Sequence, residues 1–286
     1  MTCIQDFTGH DPQWCPGCGN FDLLDCVKQA LCELNVEPQR VIFAAGIGQA
    51  SKLGFSVRAN LFNGLHGRAL PVALGLKMAN HTAPVLAVSG DGCFYAEGGN
   101  HFIHAVRRNL NIAILASDNR VYGLTKGQAS PTSPPDFASR ANPEGVGAQP
   151  LNPALLALVC GATFVARTFT GSKAEVVDLV KRAMQHRGTS FLDIMSPCVS
   201  FNKVNTFAWY KKRVRPLGPE HDPANREAAI KLALAADEET IPTGVYYQVE
   251  RPVFEDHLGA LRGAPIAERT LGYKPERVRP LFERFM

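Results

Sequence analysis

The sequence predicts an α/β fold, a doubly wound, mostly parallel sheet with helices on both faces. Two observations carry this. Short apolar runs alternate with helix-length amphipathic segments along most of the 286 residues, and several of the apolar runs end in glycines. With 45% hydrophobic residues the chain can bury one large core or two smaller ones. In such sheets ligands are expected outside the carboxyl ends of the strands.

Taken in order, residues 21–35 (FDLLDCVKQALCELN) place Leu24, Val27, Leu31 and Leu34 at three- and four-residue steps, the spacing of one helix face. RVIFAAGIG (40–48) then reads as a buried strand closed by glycines. The rhythm continues with a helix over 69–80, a strand over 84–92, a helix over 98–109 and a strand over 111–119. A helix over 152–161, a strand over 162–169, a helix over 172–186 and a strand over 190–196 complete it. Residues 126–150 (KGQASPTSPPDFASRANPEGVGAQP) lack periodicity and are long for a connection, so they read as an ordered functional loop or lid. No internal repeat is visible. The pattern weakens from about residue 208. The expected organisation is one α/β domain over 1–207 with an N-terminal Cys-x-x-Cys segment, and an extension over 208–286, with a short strand at 244–252, that is not an independent domain.

Composition excludes several classes. No run approaches the roughly 18–20 apolar residues of a membrane span, so no membrane partner is expected. The start, MTCIQDFTGHDPQ, lacks a basic segment followed by an apolar one, so a cytoplasmic location is expected and the eight cysteines are read as thiols. A net charge of +4 is mild and comes partly from YKKRVRP (210–216), read as a solvated loop; without a basic patch, no nucleic-acid partner is expected.

Two motifs carry chemistry. In WCPGCG, Cys15 and Cys18 stand two residues apart, a spacing shared by structural zinc sites, thioredoxin-like disulfides and iron-sulfur clusters, and spacing alone does not choose. Further on, an apolar strand delivers Gly90, Asp91 and Gly92 at its carboxyl end. Glycines there let the backbone approach a diphosphate, and the aspartate can reach a divalent cation. Asn119 closes the next predicted strand, so a carboxylate and an amide oxygen can meet on one magnesium. A lone Gly-Asp-Gly is an ordinary turn; strand context and Asn119 together make it a site.

This Gly-Asp-Gly to Asn pattern resembles the signature of thiamine-diphosphate enzymes. With NHFIHAVRRN, VYGLTKGQASPTS, NLFNGLHGRALP and WCPGCG, residues 14–212 resemble the β subunit of 2-oxoacid:ferredoxin oxidoreductases. The resemblance implies the diphosphate-binding type of α/β domain. Asp91 and Asn119 would be magnesium ligands with the Val121 carbonyl. Gly90, Gly92 and Gly123 would line the diphosphate of thiamine diphosphate, Gly48 and Leu124 would contact the cofactor, and His66 would sit beside it. Catalytic roles are implied for His66, Lys52 and Lys126; both lysines would lie near the substrate, with Leu124 and Lys126 reading its far end. A lysine there suits the distal carboxylate of 2-oxoglutarate, favoured over pyruvate or a broad 2-oxoacid range.

The implied reaction is oxidative decarboxylation of a 2-oxoacid with coenzyme A to acyl-CoA and carbon dioxide, reversible in direction, with electrons passing to ferredoxin. The cofactor carries the chemistry and the protein supplies orientation and electrostatics. The family implies an α subunit that contributes a glutamate and much of the coenzyme A site, in an α2β2 assembly. It also implies a 4Fe-4S cluster, for which Cys15, Cys18 and Cys198 match ligands. The fourth position holds Gln49, and the residue that is cysteine in another branch is Ala59, so a non-cysteine or solvent fourth ligand is expected. Non-oxidative thiamine enzymes share the Asp91 and Asn119 pattern but run far longer, and a zinc or disulfide module on Cys15 and Cys18 would leave residues 90–128 unexplained. Cys26, Cys32 and Cys160 read as small buried hydrophobes, while Cys93 stands where relatives often have aspartate.

Overall fold

The structure, a computed structural model, describes residues 2–236, 239–270, 272 and 275–285. After the Cys-x-x-Cys turn come α1 (Gly19–Glu33), β1 (Ile42–Ala45), a 3₁₀ turn (Ala50–Ser56) and β2 (Asn60–Asn63). Then follow α2 (Ala69–Ala79), β3 (Val85–Gly90), a π-helical turn (Gly92–Glu97), α3 (Gly99–Arg108) and β4 (Ala113–Asp118). After the long loop lie α4 (Pro153–Cys160), β5 (Phe164–Phe169), α5 (Lys173–Gln185) and β6 (Ser190–Met195). The C-terminal part adds α6 (Phe207–Arg213), β7 (Val214–Pro216), α7 (Arg226–Ala235), β8 (Ile241–Gln248) and α8 (Pro275–Glu283).

Eight strands form one sheet in the order β2-β1-β3-β4-β6-β5-β8-β7. Every pairing is parallel except β5 with β8, which is antiparallel. The α/β, mostly parallel architecture expected from the sequence is the one observed. It arises because the central strands alternate apolar residues to both faces. On one face Phe43, Leu86, Val88, Leu115 and Leu192 pack with Leu23, Val27 and Leu31 of α1 and Val176 and Val180 of α5. On the other, Val85, Ala87, Ile114 and Val165 pack with Ala73 of α2, Phe102 and Val106 of α3, Leu158 of α4 and Ala233 of α7.

Local chemistry fixes the helix ends. Asn152 accepts a hydrogen bond from the Leu155 amide ahead of Pro153 at the start of α4, and Gly161, at φ 91°, ends it. Thr206 and Asn225 cap α6 and α7 in the same way.

Three features depart from the sequence reading. β1 stops at Ala45, so residues 46–49 are free to form a turn. β2 was not expected: its four residues are mostly exposed and carry no apolar run. The 210–216 run is not a solvated loop but the last turn of α6 followed by β7, because Tyr210 is buried and stacks on Phe169 with ring centroids 5.3 Å apart. Beyond residue 208, β7 and β8 extend the sheet and α7 packs against α4. Within the 208–286 extension, residues 237, 238, 271, 273, 274 and 286 lie outside the described residues.

A buried ion pair links β5 to β6. Arg167 Nε donates to Asp193 Oδ2 at 2.8 Å, directly across the register, with the guanidinium 6.0 Å from the Tyr246 ring centroid. Burial lifts the Asp193 carboxyl to about 6 against the opposing pull of Arg167. Removing one partner strands the other charge. Arg167→Ala should therefore cost about 3–5 kcal/mol in urea unfolding, whereas Arg167→Met combined with Asp193→Leu should cost much less.

Candidate functional site

The chain runs from β1 outward to β2 and returns across it to β3, so strand order reverses between β1 and β3. At such a switch point the loops leaving neighbouring strands diverge and open a crevice at their carboxyl ends. A cleft of about 470 Å³ of empty space, partly open to solvent, lies there. It is lined by Gly48 and Gln49 after β1, His66 after β2, Gly90, Asp91, Gly92 and Cys93 after β3, and Asn119, Val121, Gly123 and Leu124 after β4. Of the residues singled out from sequence for the cofactor, all nine line this one cleft.

Glycines make its floor. Gly48 has φ 130° and nothing within 4 Å of where a Cβ would stand, which leaves backbone bare to a ligand. Gly92 has a different reason: the Tyr122 ring lies where a Cβ would project, and its hydroxyl donates to Glu97 Oε1 at 3.1 Å. The buried Cys93 thiol sits beneath Gly46 and accepts the Gly67 amide hydrogen at 3.2 Å, bracing the turn that carries His66.

Asp91 is the electrostatic centre. Its Oδ2 accepts from Ser130 Oγ at 2.5 Å and Thr132 Oγ1 at 2.8 Å, and Thr132 Oγ1 also lies 2.7 Å from Asp118 Oδ1. Burial, then the neighbouring Asp118 charge, holds the Asp91 carboxyl well above the usual carboxylate range. Two buried carboxylates around one hydroxyl are a donor set suited to a hard divalent cation. Asn119 Oδ1 accepts the Val121 amide at 3.1 Å, leaving its second lone pair for a further partner. Asp118, Ser130 and Thr132 were missed in the sequence because their partners lie far along the chain; the Ser and Thr content of the 126–150 loop was the available signal.

The lysines are placed differently. Lys52 is half-buried in the 3₁₀ turn after β1, and Lys126 is exposed at φ 75°, an uncommon backbone conformation for a lysine; neither lines the cleft.

Beside the cleft is a second, smaller pocket. Cys15 and Cys18, Cys198 after β6, Trp14, Phe201 and Gln49 line it, and Gln49, Asn119 and Gly123 line both pockets. All eight cysteines are free thiols. Burial raises the Cys18 thiol to about 11, and the nearby Cys198 and Cys15 push in the same direction. Among the described residues, no three His, Cys, Asp or Glu side chains close on a point where a single ion would sit. Cys26 is buried, whereas Cys32 and Cys160 are only partly so.

Comparison with known proteins places this geometry. The C-terminal TPP-binding domain of thiamine pyrophosphate enzymes matches residues 45–194, and the C-terminal region of pyruvate ferredoxin oxidoreductase β subunits matches residues 198–263. The β subunit of 2-oxoacid:ferredoxin oxidoreductase 2 from Aeropyrum pernix is 39% identical over 91% of this chain and 89% of its own. The chain belongs to the 2-oxoacid:ferredoxin oxidoreductase β subunits. The 2-oxoglutarate oxidoreductase subunit KorB of Mycobacterium tuberculosis is 40% identical over 69% of this chain and 53% of its own. A solved 2-oxoglutarate:ferredoxin oxidoreductase from Magnetococcus marinus, with 2-oxoglutarate, coenzyme A and succinyl-CoA bound, aligns with a TM-score of 0.91 at 35% identity. That alignment covers 98% of this chain and 96% of the solved one. The thiamine-binding domain of this β subunit therefore contains both the cleft and the crossover that creates it.

A cation held at Asp91 would need its carboxylate and not the acid, so if the cleft takes one, loading should release a proton, and affinity should rise with pH through the range in which Asp91 titrates. Calorimetric titration of magnesium with thiamine diphosphate, in buffers of different ionisation heat, should show that release in the wild type and less of it in Asp118→Asn.

Proposed function

We propose that this chain is the β subunit of a 2-oxoglutarate:ferredoxin oxidoreductase, holding thiamine diphosphate and magnesium in the cleft and an iron-sulfur cluster in the thiol pocket. The observation that carries the substrate is the Magnetococcus enzyme, which has 2-oxoglutarate bound and aligns over nearly the whole of this chain. The KorB relatives, among them one from Methanocaldococcus jannaschii at 30% identity, support it.

In this reading Asp91, Asn119 and the Val121 carbonyl hold magnesium, and Gly48, Gly90, Gly92 and Gly123 line the diphosphate. Thiamine diphosphate supplies the carbanion chemistry that cleaves a 2-oxoacid carboxylate as carbon dioxide. The chain's own work is placement and charge. Ser130 and Thr132 keep water from Asp91, His66 flanks the cofactor, and Leu124 marks the cleft's outer end. Lys52 and Lys126 stand outside the lining and reach the substrate by side-chain rotation, Lys126 pairing with its distal carboxylate.

The α subunit completes the active site. Leu124 beside the cleft and Phe201 beside the thiol pocket are exposed apolar residues, as are Phe62 on β2 and Leu65 and Val204 on loops, surface suited to a permanent partner. An α2β2 assembly with coenzyme A and ferredoxin as further partners follows from the family, and a reducing cytoplasm suits its thiols. The C-terminal extension, 208–286, belongs in this reading to the same α/β domain, since β7 and β8 continue the sheet.

The thiol pocket fits a cluster better than a single ion. Each iron of a 4Fe-4S cubane takes one thiolate, so its cysteines ring a pocket instead of converging on a point. Burial raises the Cys18 thiol, so metal binding there would take up its thiolate and release its proton. Because Gln49, Asn119 and Gly123 separate the pockets, electrons leaving the cofactor cross one layer of residues.

The αβ complex should oxidise 2-oxoglutarate with coenzyme A, and the β chain alone should not. Lys126→Ala should raise KM for 2-oxoglutarate about tenfold or more, as expected from losing a charge-assisted hydrogen bond, while changing that for pyruvate much less. Equal effects on the two substrates would remove the assignment of Lys126.

A further inference from the structure

We propose that the side-chain amide oxygen of Gln49 is the fourth protein ligand of the iron-sulfur cluster, giving it one iron held by oxygen and three held by thiolate. This rests on the reading of the thiol pocket as a cluster site.

Gln49 Oε1 is buried and, among the described residues, has no hydrogen-bond partner. A buried amide oxygen without a donor is destabilising, so its orientation calls for a partner the polypeptide does not supply. The side chain lies in the wall of the pocket that Cys15, Cys18 and Cys198 line. A point one Cβ length from Gly123 is 3.7 Å from Gln49 Cγ and 3.8 Å from Cys198 Sγ, so both side chains border the space beside that glycine. The Gln49 backbone is fixed as well, since Trp14 Nε1 donates to its carbonyl oxygen at 2.9 Å from the residue next to Cys15. Three thiol-bearing residues and the glutamine that carries the orphaned oxygen thus line one small pocket. Ala59 offers no donor atom and packs with the apolar core.

The chemistry has a direction. A neutral amide in place of an anionic thiolate makes the cluster one charge less negative, which raises its reduction potential relative to an all-cysteine cluster, as imidazole ligands do elsewhere. It also leaves one iron on a hard, weaker ligand, so this is the iron lost first on oxidation.

The test uses anaerobically purified αβ complex as wild type, Gln49→Ala and Gln49→Cys, with iron and sulfide analysis, electron paramagnetic resonance and a redox titration. The wild type is expected to hold about four irons per β subunit without a three-iron signal as isolated. Gln49→Ala should lose one iron and show the three-iron signal. Gln49→Cys should restore the fourth iron, with a lower midpoint potential than wild type and greater resistance to air. Thermal melting of the apo-complexes separates these effects from misfolding. If Gln49→Ala keeps the iron content, spectrum and potential of the wild type, solvent holds the corner and the inference is overturned while the cluster reading stands. Iron-free wild type and Gln49→Cys would overturn both.

Discussion

Everything at the site depends on one buried carboxylate. Asp91 leaves the end of β3, accepts hydrogen bonds from the Ser130 and Thr132 hydroxyls, and has the Asp118 carboxylate as its neighbour. Thr132 has a single hydroxyl proton and two carboxylate oxygens within 2.8 Å. It cannot donate to both, so one contact requires either a proton on a carboxyl or a cation close by. This is a costly arrangement in an empty protein and a favourable one around a divalent ion. It also gives the start of the 126–150 loop its place, with Ser130 and Thr132 folded back onto Asp91 and Asp118.

The sheet topology turns that local constraint into a layout. Because β1 and β3 are neighbours while the chain detours through β2, the loops after these strands part and leave room for a ligand. β6 pairs with β4 on the other side, so the turn carrying Cys198 emerges beside Asn119. The Cys-x-x-Cys segment is held against the same end by α1, whose Gly19 would clash with Ser196 and Pro197 if it bore a side chain. Two pockets therefore share the wall of Gln49, Asn119 and Gly123, in which a glycine keeps the separation thin. For an enzyme that must pass electrons out of a cofactor, in the function proposed here, that adjacency is the useful consequence of the fold.

Much of this was legible in the sequence, for identifiable reasons. Segments with strong periodicity, such as those that became α1, β3, α3 and β4, announced themselves because each buries a continuous stripe or strand. The glycines and Asp91 were legible because the chain places them at a strand end, where their conformational freedom and charge have few structural uses. What escaped was set by distant partners. β2 is four mostly exposed residues and becomes a strand only by pairing with β1. Tyr210 anchors a basic run through a ring 41 residues earlier in sequence, Phe169. Asp118 and Thr132 acquire meaning only from Asp91, and the bracing role of Cys93 only from the Gly67 amide.

The Asp91 cleft is the proposed cation and diphosphate site on which the whole assignment rests. The most direct measurement is an anomalous difference map from crystals of the αβ complex grown with manganese in place of magnesium and with thiamine diphosphate. A single strong manganese peak is expected within coordinating distance of the Asp91 carboxylate, the Asn119 amide oxygen and the Val121 carbonyl. A manganese peak elsewhere, with none at Asp91, would contradict it.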